Sequence, residues 1–128
     1  MLLRLDFNGD IPIYQQIRNQ VVTAIASGEL KPGERLPTIR ALAEETGINM
    51  MTASKAYQLL KAEGYITTGR RDGATVRIPE KGVSPETLEG LRLRICELRL
   101  AGMGKNEILA LCGKIYGSYW KFFFIYLI

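Results

Sequence analysis

Asn49, Met51, Thr52, Ser54, Lys55 and Gln58 place hydroxyls, amides, a thioether and one ammonium group within a single short stretch. Further on come Lys61, Arg70, Arg71 and Arg77, so the segment from Asn49 to Ile78 carries five basic side chains against two acidic ones, Glu63 and Asp72. Such groups hydrogen-bond base edges and grip phosphates. The basic excess is mild, and an ordinary solvated face can carry as much. Catalytic chemistry has less to work with. There is no histidine, which removes the usual base near neutral pH and the commonest metal ligand. Cys96 and Cys112 stand alone, with no Cys-x-x-Cys and no His to complete a zinc site.

The chain is 128 residues long, 47% apolar and 23% charged, with a net charge of +4. That usage is globular, and the length suits one domain, or a small domain with an extension. It is too short for a catalytic barrel or a two-domain dinucleotide enzyme. The expectation is a protein that binds rather than catalyses, with no cofactor and no metal. The two cysteines are expected as small apolar residues on packed helices, not as a disulfide framework. Asp6 and Asp10 interrupt the opening segment, so no signal peptide is read there and the cytoplasm is expected.

The elements that must position these residues follow from periodicity and punctuation. Ile13, Ile17, Val21 and Ile25 mark an amphipathic helix, with Pro12 in its first turn and Gly28 after its end. Lys31 to Glu34 reads as a turn. Thr38 can N-cap a second helix with Ile39, Leu42 and Ala43 inward, ended by Gly47. Asn49 can cap a third helix running to about Glu63, with Ala53, Ala56, Tyr57 and Leu60 inward, stopped by Gly64. Two helices joined by so tight a turn are a helix-turn-helix. Tyr65–Thr68 and Ala74–Ile78 have strand composition, and the Gly-bounded segment 69–73 reads as a hairpin tip. Pro79 ends the pairing. The fold expected is mainly α with a small β-wing: a winged helix-turn-helix over residues 1–79, plus a C-terminal two-helix extension over residues 80–128.

With these residues in place, the sequence resembles the N-terminal domain of the GntR family of bacterial transcription regulators. The resemblance is carried by Pro12 to Ile17, Gly28 to Arg40, Leu42-Ala43, Gly47 to Tyr57, Leu60, Glu63 to Ile66 and Gly73, about three-fifths of the chain. Met50 departs from the Pro or Arg often found at that position, and Ala53 from a larger β-branched residue. The resemblance implies that Arg40 reaches the groove or the phosphates, that Thr38 donates to a phosphate from a helix N-terminus, and that Arg35 supports the backbone grip. Asn49, Met51, Thr52, Ser54, Lys55 and Gln58 would face the major groove. Arg70 and Arg71 would approach the minor groove from the wing, with Gly73 allowing close approach. Other readings stand beside these. Thr38 and Asn49 serve as caps with or without DNA, and Arg70 and Arg71 also suit a plain hairpin turn.

In the second half, Ser84 can cap a helix with Pro85 at its first position, and Leu88, Leu91, Ile95 and Leu98 form an apolar stripe. Residues 101–104 break the chain. Asn106 is expected to cap a last helix carrying Ile108, Leu109, Leu111, Cys112 and Ile115. This short pair resembles the YtrA-like subfamily, small regulators often associated with transporter operons. Neither helix covers its stripe alone, so a homodimer joined through Leu88, Leu91, Ile95, Leu98, Ile108, Leu111 and Ile115 is expected. A symmetric dimer suits a palindromic double-stranded operator. Seven of the eleven aromatics lie between Tyr116 and Tyr126. That tail is too short to span a bilayer, so no stable membrane insertion is expected. It is read as an extension of the dimer core, against peripheral membrane contact or no selected role.

The sequence therefore points to a dimeric DNA-binding repressor with no identified small-molecule effector. The competing reading is a winged helix that docks other proteins without sequence-specific DNA binding.

Overall fold

The computed structural model describes residues 3–69 and 73–117. Arg70, Arg71 and the aromatic tail from residue 118 onward lie outside the described residues. The chain divides into two units between Glu80 and Lys81.

In the first unit, α1 spans Ile13–Ala26, α2 Ile39–Thr46 and α3 Met50–Glu63. Their ends follow the sequence punctuation. The Thr38 hydroxyl accepts from the Ala41 amide at 3.1 Å, and the Asn49 side-chain oxygen accepts from the Met51 amide at 2.6 Å. Each cap satisfies an N–H that the first helical turn leaves open. Gly47, at φ 72°, lets the chain leave α2 and enter α3 within three residues.

Three strands complete this unit: β1 (Arg35–Leu36), β2 (Ile66–Thr68) and β3 (Ala74–Val76), in the order β1-β3-β2 and antiparallel throughout. The expectation of a two-stranded wing is corrected to three. Leu36 pairs with Ala74, Arg35 with Thr75, and the Gly33 amide donates to the Val76 carbonyl at 2.8 Å. A pair of strands is marginal by itself, and β1 anchors the hairpin to the helices. The two hairpin strands, β2 and β3, are also shorter than their composition suggested. Tyr65, Arg77 and Ile78 fall outside them, although the Arg77 amide still reaches the Tyr65 carbonyl at 2.9 Å. A 3.3 Å bond from the Gly69 amide to the Gly73 carbonyl closes the hairpin.

The core is built from Ile17, Val21 and Ala24 of α1, Leu42 and Ala43 of α2, Ala53, Ala56, Tyr57 and Leu60 of α3, and Leu30, Leu36, Ile66, Ala74 and Val76. Ala53 and Ala56 keep the inner face of α3 thin, so neighbouring helices pack close to it. At the far end of α3, Glu63 takes both guanidinium arms of Arg18 at 2.9 and 2.8 Å. This bond raises the Arg18 pKa above its ordinary value, against the opposing effect of burial. The extended N-terminal segment lies on α1 through two carboxamides. Gln20 exchanges a pair of bonds with the backbone of Arg4 (2.9 and 2.6 Å), and Gln16 does the same with Asp6 (2.8 and 2.8 Å).

In the second unit, α4 spans Pro85–Leu100 and α5 Lys105–Tyr116. Ser84 caps α4 by accepting from the Thr87 amide at 3.1 Å. Asn106 is not the cap of α5. The helix starts at Lys105, and the Glu107 carboxylate turns back to accept from the Gly104 amide at 3.2 Å. An acidic side chain in the first turn does the work that an Asn at the boundary would have done. Cys96 and Cys112 are exposed thiols rather than packed apolar residues, because α4 and α5 bury very little against each other. Ile108 alone among the described apolar residues of this unit is buried. No helix among the described residues is long and apolar enough to cross a membrane.

The tight α2–α3 connection yields a first test. Gly47→Ala should lower the unfolding free energy by about 1 kcal/mol, the cost of forcing a β-carbon into the left-handed region. Gly47→Asn should restore part of that loss in urea titrations, since Asn tolerates this region better.

Candidate nucleic-acid interface

The residues singled out in the sequence fall into three groups. The first surrounds the junction between β1 and α2. Arg35 is exposed on β1, opposite Thr75. Thr38 is exposed, and its oxygen is engaged by the Ala41 amide, leaving the hydroxyl proton available to an acceptor. Arg40 is exposed in the first turn of α2 and makes no hydrogen bond or ion pair with the described residues. Gly73 sits against this same junction. It has φ 68°, and a β-carbon there would meet the Leu36 carbonyl oxygen and Thr38 at 3.5 Å. The close approach that Gly73 makes in the structure is to the chain's own backbone.

The second group is the outer face of α3. Asn49, Met51, Lys55 and Gln58 are exposed, while Thr52 and Ser54 are half-buried. Several of these groups already have partners within the chain. The Asn49 oxygen caps the helix, leaving its NH2 group outward. The Gln58 amide donates to the Ser54 hydroxyl at 3.2 Å. The Lys55 ammonium stands over the Tyr14 ring of α1, 4.1 Å from its centroid, within cation–π range. The third group, Arg70 and Arg71, lies outside the described residues.

What holds α3 in place was not read from the sequence. The buried Tyr57 hydroxyl donates to the Pro37 carbonyl at 2.6 Å. Pro37 immediately precedes the Thr38 cap, so this bond ties the middle of α3 to the chain just before α2. The available signal was a phenol among the aliphatic and alanine residues of an inward stripe, since a buried tyrosine hydroxyl needs a partner. Burial pushes the Tyr57 hydroxyl well above the ordinary tyrosine range, and the Glu45 carboxylate adds to the effect. Tyr14 as the seat of Lys55 was likewise missed, because nothing local links two residues so far apart in sequence. Among the described residues no group of three or more His, Cys, Asp or Glu side chains is placed to hold a metal ion.

The arrangement presents a helix with a buried inner stripe and an exposed, mostly uncharged outer face, together with an exposed Arg on the preceding helix. Residues 13–76 match the model of the bacterial regulatory proteins, gntR family. The HTH-type transcriptional regulator Rv1152 of Mycobacterium tuberculosis is 36% identical over 74 residues, covering 58% of this chain and 61% of that protein, so the chain spans less than two-thirds of it. A crystal structure of a transcriptional antiterminator from Listeria monocytogenes EGD-e superposes with a TM-score of 0.76 at 29% identity, over 91% of this chain and 94% of that one. YtrA from Sulfolobus acidocaldarius, described as a GntR-family transcription factor, gives a TM-score of 0.62 at 37% identity, over 76% of this chain and 99% of that one.

Tyr57→Phe should cost about 1 to 3 kcal/mol of stability, because the Pro37 carbonyl loses its donor. The sign of the pH dependence is fixed by the raised pKa. The neutral phenol contributes fully below the unfolded value near 10 and its contribution is lost as pH climbs beyond it. Thermal melts from pH 8 to 11 should therefore show a shallower alkaline loss in Tyr57→Phe than in the parent chain.

Proposed function

The chain belongs to the GntR family of bacterial regulatory proteins, and on that premise we propose that it is a dimeric, sequence-specific repressor of double-stranded DNA operators. The observation that carries this reading is the state of α3. Its inner stripe is buried, Tyr57 fastens it to the start of α2, and its outer face and Arg40 remain exposed. A helix held this way enters a major groove with its first residues against base edges. Arg40 supplies a bidentate donor for guanine or phosphate, and Thr38 supplies a hydroxyl for phosphate. Arg35 adds grip on the backbone of the duplex, and Arg70 and Arg71 approach its minor groove. Protein docking without DNA is less well supported, because it gives no reason for an unpaired Arg beside a helix whose outer face also presents Asn49, Lys55 and Gln58. The protein acts in the cytoplasm, without a cofactor and without catalysis, on a palindromic site whose half-sites lie about one helical turn apart.

The second unit supports pairing. Leu88 and Leu91 of α4 are 57% and 54% exposed, and Ile95, Ile115 and the neighbouring Leu109 are also uncovered. Leu98 and Leu111 are half-buried, and Ile108 is already covered within the chain, so it supports the helical pair rather than the face offered to a second copy. A second copy would remove this apolar area from water at about 25 cal/mol per Å2. It would also match the two-fold symmetry of a palindrome.

Footprinting on the DNA upstream of the chain's own gene should show two protected half-sites. Binding should weaken steeply with salt as counterions are released. Arg40→Ala should abolish operator binding while leaving the melting curve nearly unchanged; retained affinity would remove Arg40 from the interface. Replacing both Leu88 and Leu91 by Arg should give a monomer in sedimentation and lose tight operator binding. An unchanged sedimentation profile would reject this face as the dimer contact.

A further inference from the structure

We infer that Met50 and Met51 are specificity residues that read the 5-methyl groups of thymine in the major groove. The inference rests on the DNA-binding reading of α3 and names the base feature that its first turn detects. Met51 is 80% exposed and Met50 49% exposed. They are adjacent at the N-terminus of the helix, the end that meets base edges in a helix-turn-helix. Long apolar side chains gain nothing from water at these positions, and neither belongs to the core.

The neighbouring polar groups of Asn49, Ser54 and Lys55 are already engaged within the chain. From Asn49 to Ser54 there is no charged side chain. The Asn49 oxygen is held by the Met51 amide, Ser54 is bonded to Gln58, and the Lys55 ammonium rests on Tyr14. The two thioether chains are the largest groups on this turn, and neither is among the side chains packed in or against the core. Methionine is unbranched, polarisable and adaptable, which suits a shallow apolar feature. In the major groove that feature is the thymine C5-methyl, which no other standard base displays. Two methionines reach further than one, so a run of thymines, or thymines on both strands, is the expected target.

The test uses the full chain. Duplexes retained from a random pool define the bound half-site. Each thymine in it is then replaced by deoxyuridine, which removes the methyl and leaves the hydrogen-bonding edge intact. One or two positions per half-site should each weaken binding about fourfold, the worth of one buried methyl-sized group. Met50→Ala with Met51→Ala should bind thymine and uracil duplexes alike, with an unchanged melting curve, since alanine favours an exposed helix position. Equal binding of both duplexes by the parent chain would overturn the inference, as would discrimination that survives in the double variant. If the parent chain retains no duplex at all, the DNA reading itself falls, and the methyl contact falls with it.

Discussion

The bond from the Tyr57 hydroxyl to the Pro37 carbonyl is the constraint on which the first unit turns. Three elements converge at Leu36–Pro37–Thr38. Leu36 ends β1 and pairs with Ala74, Pro37 receives the phenol of α3, and Thr38 caps α2. Gly73 closes on the same residues from the hairpin. A shift of α3 along its axis would therefore strain the cap of α2 and the register of the sheet together. The bond is short, largely withdrawn from water, and made by a phenol that burial keeps protonated. It holds the angle between the two helices more firmly than apolar packing alone, because apolar contacts tolerate sliding and a hydrogen bond at this distance does not.

The ends of the first three helices were legible because each is punctuated locally. Thr38, Gly47, Asn49 and Gly64 act on neighbours within four residues, and the chain order carries that information. The strand β1 was not legible. Two residues show no alternation, and its partner lies some forty positions away, so only tertiary pairing defines it. The start of α5 failed for a related reason. Both Asn106 and Glu107 are plausible N-terminal residues, and which backbone N–H is taken depends on where the preceding loop delivers the chain. At the site, the inward stripe of α3 followed from period 3.6, whereas Arg40 was singled out by the family resemblance. The seating of Lys55 on Tyr14 joins α3 to α1, and no periodicity reveals it.

The two units are stabilised by different means. The first has a core drawn from all its helices and strands, with Arg18 and Glu63 bridging α1 and α3. The second is held by bonds within single helices. Arg92 grips Glu89, and Arg94 grips Glu97, each one turn away. The Arg92 bond lowers the Glu89 pKa below its usual value and raises that of Arg92. These fully exposed pairs support helix formation and contribute little to tertiary structure. The exposed cysteines belong to the same picture: where helices share almost no interior, a small apolar residue has no place to be buried.

The two glutamine rungs that hold the N-terminal segment rest on a numerical coincidence. Four residues of α-helix advance about 6 Å, and two residues of extended chain advance about 6.6 Å. Gln16 and Gln20 therefore meet Asp6 and Arg4 nearly in phase, running in opposite directions. The match resembles a vernier: it serves for a step and then drifts. The positions that would continue it on α1 and its cap, Ala24 and Pro12, carry no carboxamide. Because both rungs recognise main-chain atoms, they make no demand on the side chains of residues 4 and 6, although the Asp6 carboxylate separately accepts from the Asn8 amide at 3.0 Å; a single insertion between the two residues would put the rungs out of step with each other.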